Sequence, residues 1–158
     1  MTNKEIKQLS ESRYKLYIPK DIIDVVTKDP FWIKHLGVRG QTEQICLAAV
    51  KRDVTALKYV WNQTEAICLE AVKNNGSILV FVKEQTEAIC LAAVKEDWHV
   101  LRFVKEQTEA IIKAALEGDK EAIYYADPRV IESLADEVKE LTVEEIEAKS
   151  GYEVKIVK

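Results

Sequence analysis

Apolar and polar positions recur along this chain with a period of 22 residues. Copies open at Gln41, Gln63, Gln85 and Gln107, and the third reads QTEAICLAAVKEDWHVLRFVKE. Each copy divides into two helical halves. In the first half of the second copy, Ile67, Cys68, Ala71 and Val72 fall at steps of one or three residues, which keeps one face of an α-helix inward. A threonine opens this half in every copy (Thr42, Thr64, Thr86 and Thr108), and its hydroxyl predicts an N-cap. Glu43, Glu65, Glu87 and Glu109 follow at once, where a carboxylate suits the positive end of the helix dipole. Lys51, Lys73 and Lys95 stand near the other end, where a cation suits the negative one.

A second cap, at Asp53, Asn75, Asp97 and Asp119, predicts a shorter second helix. Its inward positions are Leu57, Leu79, Leu101 and Ile123, each three residues before Val60, Val82, Val104 or Ala126. Tyr59, Phe81, Phe103 and Tyr125 sit beside these residues, and that register predicts a buried aromatic column. Neither half exceeds about ten residues, too short to persist alone in water, so the copies must stack and bury one another's apolar faces. The predicted fold is all-α, an α-solenoid of four to five helix-turn-helix repeats forming a single domain.

Atypical copies close both ends. Residues 1–40 read as an N-terminal cap in which PKDIIDVVTKDPFWIKHL is a degenerate repeat: Asp29 precedes Pro30 as N-cap and first helical residue, and Ile33 and Leu36 keep the inward spacing. The four full copies fill 41–126, and 127–158 form an acidic C-terminal cap and tail. There Asp127 and Pro128 predict a helix to about Lys139, and Thr142 with Glu145 a capping box before a helix that Gly151 stops. RYKLYIP and YEVKIVK alternate with period two, which allows a short strand pairing between the two ends of the chain.

Composition narrows the function classes. Apolar residues make up 47% and charged residues 32%, as in soluble globular chains. The lysine ladder interrupts every candidate membrane span, and the opening residues lack the apolar core of a secretory signal, so a cytoplasmic protein is expected. The net charge of −4 includes a strongly acidic end, with seven basic and twelve acidic side chains in residues 110–158. That balance argues against general nucleic-acid binding, which relies on Lys and Arg to displace phosphate counterions.

The unit TEAICLAAVK, followed by an acidic or amide cap and then LxFVK, resembles the repeat of the family catalogued as domain of unknown function 4116, frequent in giant viruses and found in some bacteria and phages. The resemblance covers residues 41–126. It implies a helical repeat with an interaction role, in a host cytoplasm where the source is viral or phage, and supplies no catalytic residues. The fourth copy departs from it at Ile112, Lys113 and Gly118, as an end repeat would.

Candidate chemistry is sparse. Cys46, Cys68 and Cys90 share one register, but stacked helices stand about 8–10 Å apart. That is too far for a disulfide or a shared tetrahedral zinc. Ile112 in the fourth copy marks the position as an apolar filler, so the cysteines are read as buried, reduced and metal-free, and no cofactor is expected. His35 and His99 fall in different registers and read as surface residues, and no nucleophile motif or phosphate-binding glycine loop is present. Gln41, Gln63, Gln85 and Gln107 lie in turns where their amides can link one turn to the next.

Trp61 and Trp98 stand where sister copies carry Lys83, Lys105 and Asp127, or Val54, Gly76 and Lys120. Registers that admit charge read as exposed. Trp61 and Trp98, with His99, Arg102 and Arg52 nearby, are therefore the candidate partner-binding residues, Arg102 being placed on the helical side of Trp98, and the alternative for either tryptophan is packing under a terminal segment. The expected function is non-enzymatic: a rigid scaffold binding another protein, with a viral or phage inhibitor of a host factor as one form. The alternative is single-stranded nucleic-acid binding through a basic face with stacking aromatics, and an enzyme with an unrecognised site comes third.

Overall fold

The computed structural model describes residues 20–134, and within them eleven helices follow one another in chain order. A first unit pairs α1 (Lys20–Lys28) with the 3₁₀ helix η1 (Pro30–His35). Four repeats follow: α2 (Glu43–Arg52) with η2 (Val54–Tyr59), α3 (Glu65–Asn74) with η3 (Gly76–Phe81), α4 (Glu87–Glu96) with η4 (Trp98–Phe103), and α5 (Glu109–Gly118) with η5 (Lys120–Tyr125). Helix α6 (Pro128–Ser133) follows the last repeat. Consecutive repeat α-helices pack side by side in one row and the 3₁₀ helices in a second, so the architecture is the all-helical solenoid that the period predicts.

Each predicted cap forms. Thr42, Thr64, Thr86 and Thr108 accept from the amides of Ile45, Ile67, Ile89 and Ile111, and Asp53, Asn75, Asp97 and Asp119 accept from amides two residues on. In the degenerate first unit, Asp29 accepts from the Phe31 amide at 3.1 Å, and Ile33 and Leu36 are buried. Between the rows lies one apolar core reaching from Ile22 to Leu134, in which Ile45, Leu57, Ile67, Leu79, Ile89, Leu101 and Ile111 are at most 1% exposed. Among the described residues no strand forms. The two period-two segments, the capping box at Thr142 and Glu145, and the predicted helix beyond Leu134 lie outside the described residues.

The second half of each repeat differs from an α-helix in pitch. It is a six-residue 3₁₀ helix closed by bonds three residues back, such as Ala56 N–H to Asp53 O at 3.0 Å and Val60 N–H to Leu57 O at 3.1 Å. Three residues per turn make a three-sided column. Val54, Leu57 and Val60 form the inward side, Thr55 and Lys58 the outward side, and Ala56 and Tyr59 the side between. The aromatics therefore lie between core and water, and the expected burial of that column is corrected. Tyr59, Phe81 and Tyr125 are 39, 38 and 37% exposed, with Phe103 partly buried. At the end of the stack Ile123 and Ala126 are also only partly buried.

Short 3₁₀ helices leave carbonyls unpaired at their C-terminal ends. The repeat glutamines supply a donor to such a carbonyl and bridge it to the helix before. Gln63 Nε2 donates to Phe81 O of its own repeat at 3.1 Å and to Leu57 O of the preceding one, already bonded to the Val60 amide, at 3.2 Å, while its Oε1 accepts from the Lys83 amide at 2.9 Å. Gln85 and Gln107 repeat the pattern one and two repeats on, with Phe103 O and Lys105 N–H, then Tyr125 O and Asp127 N–H. Gln41, buried, joins Ile33 O, Tyr59 O and Trp61 N–H in the same manner. One side chain thus closes one 3₁₀ helix and fixes the register of its neighbour.

A second ladder runs along the α row. The Thr64, Thr86 and Thr108 hydroxyls donate to Glu43, Glu65 and Glu87 of the preceding repeat at 2.6, 2.8 and 2.6 Å, and Ser133 of α6 donates to Glu109 at 2.8 Å. The glutamates are struts between repeats as well as partners of the helix dipole. Two substitutions test the two kinds of contact. Leu79→Ala is expected to cost about 2–5 kcal/mol in urea denaturation, as truncations of buried leucine do, whereas Lys73→Ala on the exposed α row leaves the midpoint unchanged. Gln85→Glu is expected to cost about 1–3 kcal/mol at neutral pH, because it sets a carboxylate against two carbonyls and removes both donors. Its deficit should shrink in acid, where protonation returns one donor.

Candidate functional site

Trp61 follows η2 in the turn to the next repeat and is 59% exposed. Its backbone is held at both ends of the residue, its amide by Gln41 Oε1 at 2.8 Å and its carbonyl by Lys83 Nζ at 2.8 Å. Lys105 reaches back in the same way to Lys83 O at 3.0 Å. The lysines of this register therefore tie one turn to the turn before it, and the indole of Trp61 is presented on a fixed backbone. Beside it along the 3₁₀ row stand Tyr59, Phe81 and Val80, the last 52% exposed.

Trp98 is placed differently from the expectation that its register is solvent-exposed. It is half-buried, packs on the core and meets α5 at Gly118, where a Cβ would lie 3.5 Å from Trp98 Cβ. The first residue of each 3₁₀ helix is a wedge against the C-terminal end of the following α-helix. Gly76 in that register has Ala93 O so close that a Cβ would come within 2.6 Å of it. Gly118 stands where Arg52, Asn74 and Glu96 end the other α-helices, and Trp98 packs beside it at a distance where even a Cβ would make ordinary contact. This register therefore reports contact with the next repeat rather than free exposure.

His99 stacks on Trp98 with ring centroids 3.7 Å apart, and its Nδ1 lies 2.9 Å from Asp97 Oδ1. Burial pushes the Asp97 carboxyl up, but hydrogen bonds from the His99 ring, the His99 amide and Ser77 outweigh it and hold the group below the usual carboxylate range. The cap is therefore complete above the ordinary carboxylate pKa and is lost as acid protonates it. Arg102 does not share the side of Trp98. In a helix of three residues per turn it aligns with His99, three residues back, and its guanidinium lies 4.6 Å over the ring of Phe103. Arg52 is exposed at the end of α2, next to the cap that opens η2, while Trp61 follows the opposite end of that 3₁₀ helix. The five candidate residues thus divide between the two edges of the 3₁₀ row.

The residues that the repeat pattern left unremarked are Val80 and Lys58. Val80 occupies the outward side of η3, and Lys58 Nζ lies 4.2 Å from the centroid of Phe81 in the next repeat. The signal for both was the 3₁₀ pitch, which turns one residue in three outward. Among the described residues, no group of three His, Cys, Asp or Glu side chains gathers where a metal ion would sit. Two surface depressions lie near the ends of the stack, one lined by Ile23, Thr42, Glu43 and Leu47 and the other by Thr108, Glu109, Arg129 and Ser133. Both are walled largely by groups already bonded in the Thr–Glu ladder or at caps.

Cys46, Cys68 and Cys90 are free and at most 2% exposed, and Ile112 fills the same buried register. Burial, then the nearby Glu43 carboxylate, pushes the Cys46 thiol up to about 11, and Cys68 and Cys90 are raised by burial and by Glu65 and Glu87. Thiolate is the reacting form, so native thiols are expected to label with a disulfide reagent at neutral pH only as fast as the chain opens. Prompt labelling without denaturant would contradict this placement. At the wedge register, Gly76→Val restores the residue of the first copy yet is expected to destabilise by about 1–3 kcal/mol, the usual cost of overpacking. Thermal unfolding of that variant beside the parent measures it. A search against family models, curated proteins and solved structures returned no match.

Proposed function

We propose that this chain is a non-enzymatic scaffold that binds another protein through the face formed by its 3₁₀ helices. The observation that carries this reading is the apolar strip on that face. Trp61, Val80, Tyr59 and Phe81 are 59, 52, 39 and 38% exposed, on a backbone held by the glutamine and lysine bonds. Contiguous apolar surface of this kind marks interaction sites, and rigid presentation lowers the entropy lost on binding. The polar positions that recur from copy to copy support the same reading from the other side. Gln, Thr, Glu and Asp at the ladder positions are used in joining repeats and capping helices, which leaves the aromatic and aliphatic groups of the 3₁₀ face as the distinctive chemistry.

A second reading draws on the same rings: one base stacked per repeat, as in single-stranded nucleic-acid binding. Two features weigh against it. Lys58 and Arg102 cover faces of Phe81 and Phe103 that a base would need, and the chain is net acidic. A photoreactive amino acid installed at Val80 in the full chain, with Lys73 on the α row as control, separates the readings in a lysate of the source cell. Discrete protein adducts are expected at Val80 and none at Lys73. Adducts to nucleic acid alone, equal capture at both positions, or no capture at Val80 would overturn the proposal.

A further inference from the structure

The 3₁₀ row carries a charge pattern that the α row lacks. Helices η1 to η4 contain Lys34, Lys58 and Arg102 and no aspartate or glutamate, whereas each of α2 to α5 carries one or two glutamates. The capping carboxylates Asp53 and Asp97 lie at the N-terminal ends of η2 and η4, bonded to local amides, and Glu84 and Glu106 stand in the turns beyond the C-terminal ends of η3 and η4. A basic strip is thus set into a chain of net charge −4.

Lys58, Val80 and Arg102 occupy one register in three consecutive repeats, so along the stack the outward side reads cation, apolar, cation. All three are exposed. Neither cation forms a direct ion pair with a carboxylate among the described residues, although Lys58 stands near enough to Asp53 to help, after the Thr55 hydrogen bonds, to hold that carboxyl low. Each rests instead on an aromatic ring, Lys58 over Phe81 at 4.2 Å and Arg102 over Phe103 at 4.6 Å. A guanidinium lying on a ring keeps the N–H donors in its own plane available, and their fork matches a carboxylate. The ring holds the cation in place without neutralising it.

We infer that this strip binds an acidic peptide segment, its carboxylates at Lys58 and Arg102 and an apolar side chain between them against Val80 and the exposed edge of Phe81. The inference rests on the protein-binding reading and adds the chemistry of the partner. Charge complementarity selects this occupant. A basic partner meets two unpaired cations, and a nucleic acid finds two ring faces covered and too few cations for a phosphate on every nucleotide.

The test uses the full-length protein and a short synthetic peptide in which glutamate and leucine alternate along one side of an extended chain with serine between them, followed by fluorescence anisotropy. The parent protein is expected to bind it saturably, more weakly as salt rises, and Lys58→Gln and Arg102→Gln to weaken binding by about tenfold each or more, the factor that about 1.4 kcal/mol represents. Lys73→Gln, on the α row, leaves binding unchanged. The matching lysine–leucine peptide and an oligothymidylate are expected not to bind. No saturable binding of the glutamate peptide, indifference to both substitutions, or tighter binding of either other probe overturns the inference. Protein capture at Val80 together with failure of the glutamate peptide would leave the protein-binding reading standing and remove only the acidic partner.

Discussion

A six-residue 3₁₀ helix ends with carbonyls that nothing within it can satisfy, and this structure stacks five of them side by side. The glutamine at the head of each repeat resolves that problem with two donors and one acceptor on a single planar group. Because its amide spans two successive 3₁₀ helices, the same bonds that close one helix set the height of the next. Glutamate, isosteric but without donors, cannot replace it. The buried leucines supply the larger energy, but burial alone is tolerant of small shifts, and directional bonds give the stack a single register.

Around this constraint the polar side chains take up internal roles. Threonine caps its own α-helix and donates to the glutamate of the repeat before. Lys83 and Lys105 reach back to carbonyls of the preceding turn. The result is a stack whose repeating polar positions are occupied by architecture, with two of its variable registers at the wedge at the head of each 3₁₀ helix and on the outward side of that helix. These two variable registers have opposite meanings. Gly76 and Trp98 lie against the following α-helix, whereas Lys58, Val80 and Arg102 face solvent and are free to suit a partner.

The two rows also differ electrostatically. Glutamates concentrate on the α row, where they serve the caps, and the 3₁₀ row keeps unpaired cations on a floor of half-exposed rings. Cations resting on aromatic faces retain their charge toward solvent while losing little freedom on binding, which favours a partner that brings carboxylates between apolar side chains. The surface is thus more specific in chemistry than an apolar patch of equal area.

Much of this was legible in the amino-acid order. The 22-residue period, the paired caps, the inward isoleucines and leucines, the filler role of the cysteines and the linking role of the glutamines follow from spacing and from the chemistry of each side chain. What spacing did not reveal was the pitch of the second helix, since an aspartate cap followed by leucine three residues before valine suits α and 3₁₀ geometry alike. Pitch then decided which residues share a side, bringing the aromatics to the surface and aligning Arg102 with His99 instead of Trp98. It also took the packed repeats to show that Trp98 is half-buried against α5 beside Gly118, because two residues twenty positions apart become neighbours only when neighbouring repeats dock. Local order along the chain determines caps and faces; contacts between repeats determine exposure, since exposure depends on what the next unit covers.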